Sequence, residues 1–276
     1  MCVLRSGDNV LLTLDIGNTQ IFAGVFDGDN LLLRFRKTSQ TVFTSDELGL
    51  FLRQILRENE LEPRAVTAVA IASVVPDLSR TAAVCCQRYF QVDPFFVRMG
   101  IKTGIKINTA YGQKLGADRL ADLIGALQLC PQQNLLVIDL GTANTYDVLS
   151  KEKEYKGGAI SAGMATRLKA LCQQTALLPK VEIVLPEEVS GLSTETQMQA
   201  GLYYGQLGEM KEFIYRLRRD VFGQTAVTVV ATGGFARLFE KAKVFDIYEP
   251  DLVLYGIKQL WNMNQATEKR KKPHAK

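Results

Sequence analysis

The chain carries one phrase twice, and its residue types could handle a metal-bound phosphate. Residues 11–19 read LLTLDIGNT and residues 135–143 read LLVIDLGTA, an apolar run followed by Asp, Gly and small polar side chains. A buried carboxylate is costly unless a cation offsets its charge. Glycine lets the backbone approach an anion, and the N–H groups of such a turn supply donors. The repeat therefore predicts two related half-domains that face one nucleotide.

The first copy admits two interpretations. Asp15 could hold a cation at the end of a strand, while Asn18, Thr19 and their backbone N–H groups hold phosphate oxygens. The same residues also suit a hairpin turn that binds nothing. The second copy, Asp139-Leu140-Gly141-Thr142, and a third glycine turn, Thr232-Gly233-Gly234, favour the phosphate interpretation. Neither a P-loop nor a G-x-G-x-x-G motif occurs in the chain, so a bound nucleotide would need another phosphate-binding device.

Asp118 is the candidate general base. The string Gly116-Ala117-Asp118-Arg119 begins a predicted helix, where a carboxylate interacts favourably with the helix dipole. Asp118 could accept the proton of a substrate hydroxyl while Arg119 binds an anionic group through paired hydrogen bonds. The alternative is a helix-start acid with Arg119 as its surface partner. The single histidine, His274, lies in the C-terminal tail, which excludes a histidine-dependent nucleophile or zinc site in the body of the chain.

Composition excludes several other classes. The 276 residues are 47% hydrophobic and 22% charged, and no long uncharged apolar stretch predicts a membrane span. The net charge of +4 comes entirely from the tail after residue 267, which leaves the rest balanced. A balanced body argues against a nucleic-acid-binding face. The odd number of cysteines, five, without a C-x-x-C pair predicts a reducing, cytoplasmic location.

Alternating strands and helices would position these residues. The pattern predicts strands over 10–16, 21–26 and 31–36, a capping box at Thr44–Glu47 before an amphipathic helix, and a helix from Gly116. In the second half it predicts a strand over 135–140, helices over 164–177 and from Thr194 to about Arg219, a strand over 227–231, a helix over 235–241, and a closing helix with Pro250 in its first turn.

These elements predict an α/β fold of two related half-domains with mixed β-sheets flanked by helices. The expected divisions are an N-terminal half-domain over 1–133, a C-terminal half-domain over 134–264 and a basic, disordered tail over 265–276.

Taken together, these motifs resemble the type III pantothenate kinases of the sugar kinase, heat-shock chaperone and actin superfamily. The resemblance extends from about Leu11 to Trp261. It implies an actin-like, ribonuclease H-like duplication and ATP-dependent phosphorylation of pantothenate to 4'-phosphopantothenate, the first step of coenzyme A synthesis. It also implies a homodimer, Mg²⁺ with ATP and a monovalent cation (K⁺ or NH₄⁺). The charge and hydropathy patterns given above predict that neither nucleic acid nor a membrane is a partner.

By the same resemblance, each motif receives a role. The phosphate-binding residues would be Asp15, Ile16, Gly17, Asn18, Thr19, Gln20, Ile21 and Phe22, with Thr142 as a further ATP contact. Asp15 would hold Mg²⁺, directly or through water, and Asp139 would bind the monovalent cation. The pantothenate contacts would be Tyr111, Gly116, Ala117, Asp118, Arg119 and, from the dimer partner, Thr194, with Asp118 as the catalytic base.

Three positions depart from the family pattern. Tyr111 is followed by Gly112 in a loop that is shortened before the Leu115–Arg119 string, Lys114 stands where an acid is common, and Ala162 stands where proline is usual. The departures lie on the substrate side and leave two alternatives open. One is an ATP-binding regulatory or accessory protein with weakened catalysis. The other is a different small-molecule kinase or a phosphatase of the same superfamily, which the Gly116–Arg119 string disfavours.

Overall fold

The computed structural model describes residues 10–108 and 115–268, with side chains described as far as residue 265. The described residues form two compact units. Unit 1 comprises 10–104, 108, 115–125 and 253–268, and unit 2 comprises 105–107 and 126–252. The limits of the two half-domains and the disorder of the tail remain predictions.

The strands and helices are as follows. Unit 1 contains β1 (Val10–Ile16), β2 (Gln20–Asp27), β3 (Asn30–Thr38), α1 (Ser45–Glu58), β4 (Val66–Ser73), α2 (Pro76–Cys85), β5 (Phe95–Phe96), most of α3 (Ala117–Leu129) and nearly all of α6 (Leu252–Glu268). Unit 2 contains β6 (Asn134–Leu140), β7 (Ala143–Leu149), β8 (Tyr155–Ala162), α4 (Met164–Gln174), α5 (Thr194–Leu217), β9 (Val227–Thr232) and β10 (Ile247–Tyr248).

The two units repeat one sheet topology. Unit 1 has the strand order β3-β2-β1-β4-β5, and unit 2 has the corresponding order β8-β7-β6-β9-β10. In each, the first strand pairs antiparallel with the hairpin partner and parallel with a later strand. Even the burial along β1 and β6 follows one pattern, with only the Asp position partly exposed. The predicted fold of two related mixed sheets flanked by helices is confirmed.

Alternation along β1 divides unit 1 into two layers. Leu12, Leu14 and Ile16 are buried in one hydrophobic cluster with residues of α1 and α2. Successive side chains of a strand point to opposite faces, so Asp15 points to the other face. There Tyr255 of α6 packs edge-on against Phe26 of β2, with ring centroids 5.6 Å apart.

The start of α1 shows how the sequence fixes one of these layers. Thr44 is the N-cap, and its hydroxyl accepts a hydrogen bond from the Glu47 backbone N–H at 3.2 Å. The Glu47 carboxylate accepts the Thr44 N–H at 2.7 Å in return. The predicted capping box is therefore confirmed. The apolar side of the helix, with Leu48, Leu52 and Leu56, is buried against the sheet.

In unit 2 the long helix α5 covers the corresponding face. Tyr203, Met210 and Ile214 of α5 are buried with Leu136 and Ile138 of β6. Within the described ranges, no helix is long and apolar enough to cross a membrane.

Several predicted element limits were wrong. Pro250 lies before α6 rather than in its first turn, since that helix begins at Leu252. Helix α4 ends at Gln174, not Leu177, and the segment after Phe235 is a 3₁₀ helix, Ala236–Ala242. Helices α2 and α5 each continue into a short π-helix, Cys86–Phe90 and Arg218–Phe222, so their last turns are wider than the α-helical pattern indicates.

Candidate functional site

Both copies of the repeated phrase form hairpin turns at the ends of equivalent strands. In unit 1, Gly17-Asn18-Thr19 connects β1 to β2, and the Gly17 N–H donates to the Gln20 carbonyl at 3.0 Å. Asn18 is exposed, and Asp15 and Thr19 are partly exposed. The segment is therefore a hairpin turn that exposes polar side chains, which leaves both interpretations of it open.

The second turn is supported from behind by helix α4. Gly141-Thr142 connects β6 to β7, and the Thr142 side chain is exposed. The Thr142 carbonyl accepts hydrogen bonds from the Gly163 N–H at 3.1 Å and from the Thr166 hydroxyl at 2.6 Å. A Cβ atom on Gly163 would lie 2.1 Å from the Gly141 carbonyl oxygen, so only glycine permits this approach. The turn thus rests directly on the helix N-terminus.

The third glycine turn meets the second Asp of the repeat. β9 lies parallel to β6 with Thr232 beside Asp139, so the loop that follows β9 passes over that carboxylate. Gly233 has a φ of +92°, and a Cβ there would lie 2.2 Å from Asp139 Oδ1 and 2.6 Å from the Leu140 carbonyl oxygen. Any residue other than glycine at position 233 would therefore collide with Asp139.

Asp118 lies in the first turn of α3, and its carboxylate folds back on the helix start. Its Oδ1 accepts a hydrogen bond from the Arg119 N–H at 2.8 Å. The same oxygen lies 2.4 Å from where a Cβ of Gly116 would be. The absence of a side chain at Gly116 therefore leaves room for this carboxylate. Both Asp118 and Arg119 are partly exposed.

Val74 connects the start of α3 to the end of β1 within unit 1. The Val74 N–H donates to the Ile16 carbonyl at 3.1 Å, and its Cγ1 lies 3.7 Å from the Cβ position of Gly116. The loop after β4 thus lies beside both the first turn and the helix that carries Asp118. The sequence analysis did not identify this loop, because apolar residues such as Val74 and Val75 carry no signal for a binding site.

The remaining predicted residues have separate positions. Thr194 is the first residue of α5, exposed, with Ser193 as its N-cap. Ile21 and Phe22 are buried in β2, and Gln20 is exposed at its start. Ala162, at the end of β8, is exposed. Tyr111, Gly112 and Lys114 lie outside the described residues.

A buried polar network on unit 2 was also missed by the sequence analysis. Glu209 of α5 accepts hydrogen bonds from the Tyr146 hydroxyl at 2.9 Å and the Ser161 hydroxyl at 2.6 Å, and it forms an ion pair with Arg167 of α4. Burial raises the pKa of the Glu209 carboxyl, but these donors outweigh it and hold the pKa below its ordinary value. Burial, with the charge of Glu209, raises the pKa of the Tyr146 hydroxyl.

Comparison with known proteins identifies the family. The family model for type III pantothenate kinase matches residues 11–216. A type III pantothenate kinase of Elusimicrobium minutum is 56% identical over 93% of this chain and 100% of its own length.

Solved structures share the fold at much lower identity. A Baf family protein from Campylobacter jejuni has a TM-score of 0.55 at 20% identity, with 92% of this chain and 99% of that chain covered. MreB5 of Spiroplasma citri bound to ADP has a TM-score of 0.52 at 12% identity, with 94% and 98% covered. The matched relatives and the repeated topology lead to one conclusion: this chain belongs to the type III pantothenate kinase family.

Proposed function

We propose that this chain phosphorylates pantothenate with ATP to give 4'-phosphopantothenate, the first step of coenzyme A synthesis. The observation that carries the proposal is the agreement between the whole-length similarity to type III pantothenate kinases and the Gly116–Arg119 string at a helix start. Phosphoryl transfer requires positioning and charge neutralisation more than covalent chemistry by the protein. We therefore assign each residue a role according to the phosphate, hydroxyl group or cation that its side chain could bind.

The nucleotide phosphates are assigned to the two hairpin turns. In unit 1 the segment Asp15–Phe22 presents Asn18 and Thr19 from the β1–β2 turn, and in unit 2 Thr142 presents its hydroxyl from the β6–β7 turn. Short turns with exposed polar side chains and backbone N–H groups are suited to β- and γ-phosphate oxygens. Exposure of Asn18 and Thr142 supports this assignment.

Asp118 is the proposed base for the primary hydroxyl of pantothenate. Its carboxylate would accept the hydroxyl proton as the oxygen attacks the γ-phosphorus in line. The Asp118 carboxylate accepts a hydrogen bond from the Arg119 N–H, which holds it at the start of α3. Arg119 would hold an anionic group of the substrate, with Gly116, Ala117 and Tyr111 as further contacts.

Each unit has one proposed cation ligand, and the residues present fit both cations. Mg²⁺ is commonly held by one or two carboxylates together with substrate phosphates, so Asp15 is a suitable single protein ligand, directly or through water. Mg²⁺ would neutralise charge on the transferred phosphoryl group. A monovalent cation, K⁺ or NH₄⁺, is assigned to Asp139. That carboxylate lies in a cradle with the backbone of Gly233 and Leu140, which a Cβ would fill.

A homodimer is part of the proposal. Gly201, Gly205 and Gly208 follow one exposed face of α5, and a Cβ at any of them would meet no atom within 4 Å. Leu177 and Leu192 are 90% and 95% exposed on the same unit. A bare glycine face with exposed leucines suits close packing by a second copy of this chain. Thr194, at the start of α5, would then reach the partner's pantothenate.

The dimer has its own test. Light scattering after gel filtration should give the mass of two chains for the wild type and for Glu152→Leu, a control in the exposed turn between β7 and β8. Gly205→Leu should shift the mass towards one chain. A single-chain mass for the wild type would contradict the dimer.

The kinase itself is tested by product formation. Purified protein with ATP, Mg²⁺, K⁺ and pantothenate should yield 4'-phosphopantothenate and ADP, and replacing K⁺ by Na⁺ should slow the reaction. Folded protein that binds ATP but forms no product would overturn the proposal and favour an accessory protein of the same fold. Equal rates in K⁺ and Na⁺ would reject the assignment of Asp139. The balanced charge outside the tail and the cysteine pattern support a cytoplasmic reaction without a nucleic-acid or membrane partner.

A further inference from the structure

Glu209 lies at the centre of the polar network in unit 2. Its Oε1 accepts the Ser161 hydroxyl at 2.6 Å, the Tyr146 hydroxyl at 2.9 Å and the Gln206 amide at 3.3 Å. Its Oε2 pairs with Arg167 Nη2. A single carboxylate therefore joins four elements: β7, β8, α4 and α5.

The network leads from Glu209 to the Gly141–Thr142 turn by two routes. The first passes through Arg167, whose Nε also donates to the Ala162 carbonyl at 2.7 Å. Arg167 is one turn into α4, and the first turn of that helix provides the Gly163 N–H and the Thr166 hydroxyl that bind the Thr142 carbonyl. Displacing Arg167 would therefore shift the start of α4, which binds the Thr142 carbonyl.

The second route passes through Gln206. Its Nε2 donates to the Tyr146 hydroxyl at 3.1 Å, and its Oε1 accepts from Asn144 Nδ2 at 2.6 Å. Asn144 is 1% exposed and follows Thr142 by two residues in β7. The turn is thus fixed on two sides. Gln206 binds the strand that follows it, β7, and Arg167 belongs to the helix that supports it, α4, and Glu209 binds both of these side chains.

The polar groups around Glu209 suit a carboxylate, because all four of them donate hydrogen bonds to it. The partly buried Glu209 carboxylate accepts four donors, and these favour its charged form. A glutamine would keep the shape but would offer an N–H group where one of these donors points. The side chains of Glu209 and Arg167 are only 19% and 26% exposed, so water would compensate incompletely.

From this geometry we infer that Glu209 is a positioning residue for the nucleotide-binding turn: through Arg167 and Gln206 it fixes the Gly141–Thr142 backbone and so sets the affinity for ATP without touching it. The inference rests on the proposed function insofar as Thr142 binds ATP. Pantothenate, which is assigned to residues of α3 and to Thr194, should be affected much less.

The test compares Glu209→Gln with Glu154→Gln, a control immediately before β8. Glu154 forms an exposed ion pair with Lys156, and such pairs contribute little. Glu209→Gln should raise the KM for ATP and the Kd for ADP by about tenfold, which corresponds to about 1.4 kcal/mol. It should change the KM for pantothenate by less than about twofold. Glu154→Gln should match the wild type in every constant.

A second pair of variants separates positioning from general loss of stability. Arg167→Gln alone should raise the Kd for ADP, and Glu209→Gln with Arg167→Gln should raise it by less than the product of the two single effects, because the two side chains share one contact. Additive effects, an unchanged Kd for ADP with a lowered melting temperature, or equal rises in both KM values would overturn the inference.

The two proposals fail in different ways. If wild-type protein binds ADP but makes no 4'-phosphopantothenate, the proposed function fails, while the ADP affinities of the variants still test the positioning role. If the wild type is active and Glu209→Gln binds ADP normally, only the positioning role fails.

Discussion

Gly233→Ala is the substitution for which the structure gives the clearest magnitude. Gly233 has a φ of +92°, and a non-glycine residue in a sparsely populated backbone region costs about 1–3 kcal/mol. The added Cβ would lie 2.6 Å from both the Leu140 nitrogen and the Leu140 carbonyl oxygen, atoms that cannot rotate away. Overpacking of this kind costs about 1–3 kcal/mol more. The free energy of unfolding should therefore fall by about 2–6 kcal/mol.

The neighbouring residue provides the control. A Cβ on Gly234 would meet no atom within 4 Å, and the φ of Gly234 is not positive. Gly234→Ala should change the free energy of unfolding by less than about 0.5 kcal/mol. Urea unfolding of both variants, followed by circular dichroism, measures the difference. Equal stabilities for the two variants would refute the close approach of Gly233 to Asp139 and Leu140.

Three further predictions concern other parts of the chain. Thr44→Ala removes one half of the capping box with Glu47 and should lower the free energy of unfolding by about 1 kcal/mol in a urea titration; an unchanged midpoint would contradict the role of the cap. The pKa of Glu209 is lowered on folding, so its ionised form stabilises the native state above the ordinary carboxyl pKa, and this contribution is lost as the pH falls through the lowered value. The difference in free energy of unfolding between wild type and Glu209→Gln should therefore be constant above the ordinary carboxyl pKa and shrink as the pH falls below it; a difference that stays constant down to the pH of acid unfolding would count against this. Burial raises the pKa of the Cys85 thiol to about 12 and also raises that of Cys86, so iodoacetamide at pH 8 should leave both unmodified in the native protein, as read by mass spectrometry; rapid labelling would contradict their burial.

Local signals predicted the elements that a few adjacent residues determine. The Thr44–Glu47 capping box is complete within one turn, and both copies of the repeat contain their own strand and turn residues. The identical strand orders could be expected from the repeat because equivalent strands face equivalent partners. The Gly116–Arg119 string also identified the start of α3.

Other features depend on packing between segments far apart in the chain. Nothing near Glu209 indicates that it would meet Arg167 and Ser161, since these contacts depend on how α5 lies across β7 and β8. Gly158 lies inside β8, where a Cβ would be 2.1 Å from the Tyr146 carbonyl oxygen. Its conformation is set by a neighbouring strand rather than by its own sequence context.

Asp118 is the proposed acceptor of the hydroxyl proton of pantothenate during phosphoryl transfer. The most direct measurement compares wild type with Asp118→Asn for two quantities: the Kd for ADP by calorimetry and the rate of 4'-phosphopantothenate formation. We predict an unchanged Kd, since Asn can still accept from the Arg119 N–H, and a rate at least about a hundredfold lower, as expected for removal of a general base. Near-normal turnover by Asp118→Asn, with wild-type binding of ADP, would contradict the account.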